Sequence, residues 1–215
     1  MHHIQKLAQR ASVAAAIYAA AAAIIGFASY AADLEPSPPY RSQEAAADPF
    51  AHPTPYFGLD EVRFGVLAAN LEEGGSEEAE TLINGEFLFN IGLSQHVYDD
   101  PIRNFFLRPR AHVGVSVTPD EGTNQVYAGL TWETHLTNRI FAELSFGGTL
   151  HDGPTAANDP NSYGCSLLFR ESVSIGYEVT EHIRVMATVD HMSNAGLCDQ
   201  NQGLTNAGVR LGYRW

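Results

Sequence analysis

The chain has 215 residues, with 12 Lys+Arg against 25 Asp+Glu, a formal charge of −13 and a mean hydropathy of −0.14. An acidic excess of this size excludes nucleic acid as a partner, because phosphate binding needs clustered basic side chains. No stretch beyond the amino-terminal segment approaches the roughly 18 continuous apolar residues of a membrane-spanning helix.

Residues 1–31 have a basic start (Lys6, Arg10), an apolar run of mostly Ala and Ile from Ala11 to Phe27, and a small-x-small end at Ser29-Tyr30-Ala31. This is the layout of a secretory signal peptide cut after Ala31, with an uncleaved amino-terminal anchor as the alternative. Cleavage takes away both basic side chains of that segment, including the sole lysine. It leaves 184 residues with 10 basic and 25 acidic groups, a charge of about −15. Two cysteines, Cys165 and Cys198, then enter an oxidising compartment, where a pair favours a disulfide over a metal site.

Residues 32–55 hold six prolines (Pro36, Pro38, Pro39, Pro49, Pro53, Pro55) and no apolar period, so a poorly ordered leader is expected there. From residue 56 onward the pattern has period two. The apolar sets are Val62–Ala68, Ile83–Ile91, Ala111–Val117, Val126–Trp132, Ile140–Phe146, Leu167–Tyr177, Ile183–Val189 and Ala207–Trp215. Alternation of this kind predicts eight strands, each with one apolar face.

The other face decides the class. It carries Arg63, Glu86, Arg110, His112, Glu133, Glu143, Arg170, Arg184, Asp190, Arg210 and Arg214 among Gly, Ser and Thr. In a soluble barrel these charges would face water, and that alternative stays open here. In an exported chain they can instead fill a narrow lumen as ion pairs while the apolar face meets lipid. The final strand closes on Tyr213 and Trp215 at alternate positions, which is similar to the carboxy-terminal signal of bacterial outer-membrane barrels. Tight connections at Leu136–Arg139 and Thr180–His182 alternate with long ones at Leu71–Thr81, Leu150–Gly164 and Asn194–Gly203. The expected fold is therefore all-β, an eight-stranded antiparallel up-and-down transmembrane β-barrel over residues 56–215 in the outer membrane. The connection Gly92–Leu107 breaks the rule, since a periplasmic turn should be short. The acidic run Glu72–Glu78 reads as a solvated loop rather than an ion site.

Parity puts both termini at the periplasmic end and the loop after strand seven outside the cell. Cys165 and Cys198 then fall on neighbouring outer loops, where a bridge is geometrically reasonable.

Strand seven ends in His191 and Ser193 on its lipid-facing side, an expensive placement for polar groups without partners. Residues i and i+2 on a strand face lie about 6.5–7 Å apart, within reach for an imidazole and a serine hydroxyl. A neutral imidazole can take the hydroxyl proton as serine attacks an ester. Counting strand partners back from the tight turn at Glu181 sets Glu171 opposite His191. Glu171 interrupts the apolar row of Leu167, Phe169 and Val173, and a carboxylate there could orient the imidazole. The proposed chemistry needs no cofactor and no metal.

His191-Met192-Ser193-Asn194, Asn201-Gln202-Gly203 and the aromatic-ended last strand resemble the outer-membrane lipid A 3-O-deacylases, also grouped as acyloxyacyl hydrolases. The resemblance covers roughly residues 57–215, is most specific over 165–215, and includes the opening strand Asp60–Val66. It implies a Ser-His-acid triad on the outer barrel wall, acting on an ester-linked acyl chain of lipid A. Ser193 and His191 take the catalytic positions. Asn194 and Asn201 take oxyanion or substrate roles, and Phe169 would lie along the acyl chain. Lipopolysaccharide and the outer membrane are the implied partners, for a monomer or a dimer.

The chain departs from the family at one position. The family's acid lies on the last strand, twelve residues after the serine, where this chain has Thr205. Either Glu171 supplies the acid, or activity is weakened or lost. A non-catalytic small barrel with a structural or adhesion role is the alternative function.

Overall fold

The computed structural model describes residues 58–69, 71, 80–92, 99–119, 122–159 and 161–215. The expected signal peptide (1–31), the leader (32–55) and the acidic run Glu72–Glu78 lie outside the described residues. Eight strands follow in order: β1 (Gly58–Ala68), β2 (Thr81–Asn90), β3 (Arg110–Val117), β4 (Gln125–His135), β5 (Ile140–His151), β6 (Leu167–Glu178), β7 (Ile183–Ser193) and β8 (Leu204–Arg214). A short helix, α1 (Pro101–Phe106), sits between β2 and β3. Each strand pairs antiparallel with its chain neighbour, and β8 returns to β1, closing the barrel.

Strands of 8 to 12 residues suit the roughly 9–11 tilted residues needed to cross a bilayer core. The alternating apolar residues face outward: Phe64 is 65% exposed, Val173 59% and Phe146 51%. This wall of bare Phe, Val, Leu and Ile would be untenable in water but matches lipid, and the chain is an outer-membrane barrel.

The lumen is filled with paired charge. At the end where β1 begins and β8 finishes, Arg184 donates from Nη1 to Glu61 Oε2 and Glu133 Oε2, both at 2.8 Å, and from Nη2 to Glu178. Its guanidinium also lies 3.8 Å over the Phe141 ring. Arg63 donates to Glu61, Glu86 and Glu143, while Arg110 donates to Asp60, Glu61, Glu133 and Glu143. A register irregularity between Leu59 and Glu61 explains how two consecutive acids share the interior. The extra residue of a bulge turns both Asp60 and Glu61 inward, where alternation alone would send one of them into lipid. Farther up, Arg170 lies 3.0 Å from Asp190 and 3.9 Å over the Tyr127 ring. At the opposite rim the filling becomes apolar, with Tyr163, Leu168, Met192 and Leu204 buried together.

The seam between β1 and β8 depends on one missing side chain. Gly208 pairs with Leu67, and a Cβ at Gly208 would come within 2.1 Å of the Val66 carbonyl oxygen and 2.5 Å of the Leu67 Cα. Both obstacles are backbone atoms that cannot swing away. Gly208→Ala is therefore expected to lower stability by about 1–3 kcal/mol through overpacking, read as an earlier urea midpoint for loss of the compact, heat-modifiable form.

Candidate active site

β7 brings His191 and Ser193 to the extracellular rim on the outward face. Its neighbours are β6, with Glu171 paired to His191 and Phe169 to Ser193, and β8, with Thr205 paired to His191. The register counted from the turn at Glu181 is thus the register observed. Directly paired side chains have Cβ atoms about 4.5–5.5 Å apart, so His191 stands between a carboxylate and a hydroxyl. His191 Nδ1 lies 2.9 Å from Thr205 Oγ1. Glu171 is exposed, whereas His191, Ser193 and Thr205 are half-buried. Beneath this outer row the buried Leu168, Met192 and Leu204 point inward from the same three strands and give it a packed backing.

Phe169 stacks on Phe146 of β5, with ring centroids 6.1 Å apart and planes 19° from parallel. The two rings make an aromatic patch beside Ser193, continuous with the apolar wall.

Asn194 follows the serine and is buried. Its Nδ2 donates to the Tyr163 and Gln200 carbonyls, its Oδ1 accepts from Gly196 N–H at 2.8 Å, and its own backbone N–H donates to Asn201 Oδ1 at 2.8 Å. A side-chain amide has two N–H donors, and both are engaged by the loop. Asn194 therefore spends its side-chain donors and its backbone N–H on shaping the turn after Ser193, with Asn201 supplying an accepting Oδ1.

The same turn contains Ala195 at φ 54°, the one non-glycine residue with positive φ among the described residues. That conformation costs an L-residue roughly 1–2 kcal/mol, and such strain collects at functional sites. Ala195 carried no sequence signal, because neither Ser-Asn-Ala-Gly nor its neighbours mark a left-handed alanine.

The loop after β7 is tied to the loop before β6. Cys165 and Cys198 form a disulfide with Cα atoms 6.2 Å apart. Gln202 N–H donates to the Ser162 carbonyl, and Gln200 Nε2 donates to the Ala157 carbonyl. Gly164, at φ 78°, passes so close that a Cβ there would meet the Gln200 carbonyl oxygen at 2.0 Å. The turn that carries Ser193 and Asn194 is therefore braced from outside by a second loop.

Among the described residues, two groups have ligand atoms close enough for a metal ion: Glu133, His135 and Glu178, and Glu61, Glu133 and Glu143. Both lie in the lumen, where Arg184, Arg110 and Arg63 already supply positive charge to these carboxylates. Neither group adjoins Ser193.

The family model described as lipid A 3-O-deacylase (PagL) matches residues 111–214, which include Phe169, Glu171, His191, Ser193 and Thr205. Over those residues the chain is similar to the lipid A 3-O-deacylases. Among solved structures, that of the outer membrane enzyme PagL is similar at 15% identity and a TM-score of 0.55, covering 72% of this chain and 99% of that one. At that identity the likeness speaks for the fold. Neisserial surface protein A (9% identity, TM-score 0.44, 75% of this chain and 98% of that one) is also similar. So is the amino-terminal barrel domain of Pseudomonas aeruginosa OprF (11%, TM-score 0.43, 72% and 98%). No curated protein matches the sequence. Thr205, the residue at the position where the resemblance expects an acid, lies within the matched stretch.

Proposed function

We propose that this barrel is a serine esterase that removes an ester-linked acyl chain from lipid A in the outer leaflet. One observation carries the reading. In a chain with this resemblance, a serine and a histidine stand two residues apart on the lipid-facing wall at the extracellular rim, and the histidine Nδ1 is already held.

The chemistry follows from that hydrogen bond. With Nδ1–H donating to Thr205 Oγ1, the lone pair sits on Nε2, which serves as the base. Nε2 takes the Ser193 proton as Oγ attacks the ester carbonyl, then returns it to the departing sugar hydroxyl, leaving an acyl-enzyme. Water from the extracellular side attacks the acyl-enzyme and gives a proton to Nε2, which passes it to Ser193 Oγ as the acyl–oxygen bond breaks and the free fatty acid leaves. The oxyanion needs N–H donors. With the donors of Asn194 committed to the loop, the Ala195 backbone N–H is the one our reading assigns to it, and Asn194 and Asn201 hold that turn in place. The acyl chain lies against Phe169 and Phe146.

A triad acid does two things: it fixes the imidazole tautomer and it stabilises the imidazolium. In our reading these tasks are divided. Thr205 orients the ring, and Glu171, across the β6–β7 pair, supplies the negative charge. Glu171→Gln should then lower the rate of acyl release about a hundredfold, within the range of a general acid–base contribution, while Thr205→Val should produce mainly a loss of orientation. Thr205→Glu should raise the activity of the Glu171→Gln variant. Full activity in Glu171→Gln would remove Glu171 from the mechanism.

The deciding experiment is mass spectrometry of lipid A incubated with the full-length barrel in detergent. Loss of one acyl mass supports the reading. The neutral hydroxyl of Thr205 at the acid position favours a second reading, a barrel without catalysis, and unchanged lipid A with correctly folded protein would establish it.

A further inference from the structure

The long connection between β2 and β3 contains α1, and nothing in the proposed chemistry uses it. It lies at the end of the barrel where β1 begins and β8 finishes, the periplasmic end. Asp100 caps it, accepting from the Arg103 N–H at 2.8 Å. Its position against the barrel is fixed from outside: Trp132, on the outward face of β4, donates its indole N–H to the Phe106 carbonyl at 2.9 Å. The helix therefore rests on the lipid-facing wall rather than under the lumen.

Its exposed residues continue that wall. Ile102 is 70% exposed, Phe106 55% and Leu107 46%, and Phe105 packs edge-on against Phe106 at 5.0 Å between centroids. At 100° per residue, Ile102, Phe105 and Phe106 fall on one face, and Asn104 falls opposite. The charge pattern also departs from the rest of the chain. Residues 101–110 contain Arg103, Arg108 and Arg110 and no acid, in a protein with 25 Asp+Glu against 12 Lys+Arg. Arg110 is spent in the lumen, while Arg103 is exposed on the helix itself. Tyr213 and Trp215, in edge contact at 5.4 Å, mark the same end of the barrel.

We infer that α1 is a membrane-interface helix that seats Ile102 and Phe106 in the periplasmic leaflet and presents Arg103 to phospholipid phosphates. Apolar side chains joined to the lipid-facing wall belong in the acyl boundary, and basic side chains beside them belong at the headgroups. An ordinary turn would close the β2–β3 hairpin with a few residues. The long connection provides a foot on the leaflet opposite the candidate active site.

The test uses a nitroxide attached at Ile102→Cys, Phe106→Cys or Asn104→Cys, without reductant so that the native disulfide persists. The full-length protein is placed in vesicles of phosphatidylethanolamine with or without phosphatidylglycerol, and folding of each variant is checked by heat-modifiable migration. Labels at 102 and 106 should collide with oxygen about threefold or more in excess of a water-soluble nickel chelate, relative to the label at 104, as for a side chain some 5–10 Å below the headgroups. Arg103→Glu should reduce that contrast more with phosphatidylglycerol than without it. Equal nickel access at all three positions would overturn the proposal in favour of a water-exposed loop. Shielding of all three from both reagents would overturn it in favour of a protein partner. The absence of any Arg103→Glu effect in either vesicle would remove the phosphate contact.

Discussion

Ser193→Ala is expected to abolish release of fatty acid from lipid A while leaving the barrel folded. The substitution removes one oxygen from an outward, half-buried position at the rim, and the backbone pairing of β7 with β6 and β8 does not depend on it. The chemical effect should be large, because deleting a catalytic serine in a nucleophile–base unit costs about 10⁶ in kcat. His191→Ala should lose a comparable amount, since a serine without its base is a weak nucleophile. The double variant should be no worse than either single one, the signature of residues acting as one unit. Undiminished acyl release from Ser193→Ala, by mass spectrometry of the product lipid A, would refute the assignment outright.

The second large effect lies in the lumen. Arg184 is fully buried and bonds Glu61, Glu133 and Glu178. Arg184→Leu strands those carboxylates, and leaving a buried charge uncompensated costs about 3–5 kcal/mol. The expected result is a marked shift of the urea midpoint to lower concentration, or failure to reach the compact form. Adding Glu178→Leu should recover part of the loss, because it removes one of the stranded acids, and this recovery separates electrostatics from simple loss of packing over Phe141. If Arg184→Leu unfolds at the native midpoint, the charge network is not what holds the barrel shut.

Much of the fold could be read along the chain because each strand repeats one contrast: an apolar row for lipid and a charged row for the lumen. The tight turn at Thr180–His182 made register countable, so the pairing of Glu171 with His191 could be foreseen. The contact of His191 with Thr205 is of another kind. The loop between β7 and β8 spans ten residues, and no count along a loop of that length fixes which residue of β8 faces His191.

Asn194 shows a different limit. Its family resemblance suggests a role near the oxyanion, but where its amide points depends on carbonyls of Tyr163 and Gln200 brought by two separate loops. The helix α1 was legible in principle. Asp100-Pro101 is a helix-start signal, but it is easily overlooked in a connection expected to be a short turn.

The filled lumen has a kinetic consequence. With arginines, carboxylates, Tyr127 and Phe141 occupying the interior, nothing the size of a glycolipid travels through the barrel. Substrate for the proposed reaction arrives sideways, by diffusion within the leaflet, and the released fatty acid leaves into the same plane. The encounter is two-dimensional. Turnover should follow the mole fraction of lipid A in the surface and fall when inert lipid or detergent dilutes it, even at constant bulk concentration.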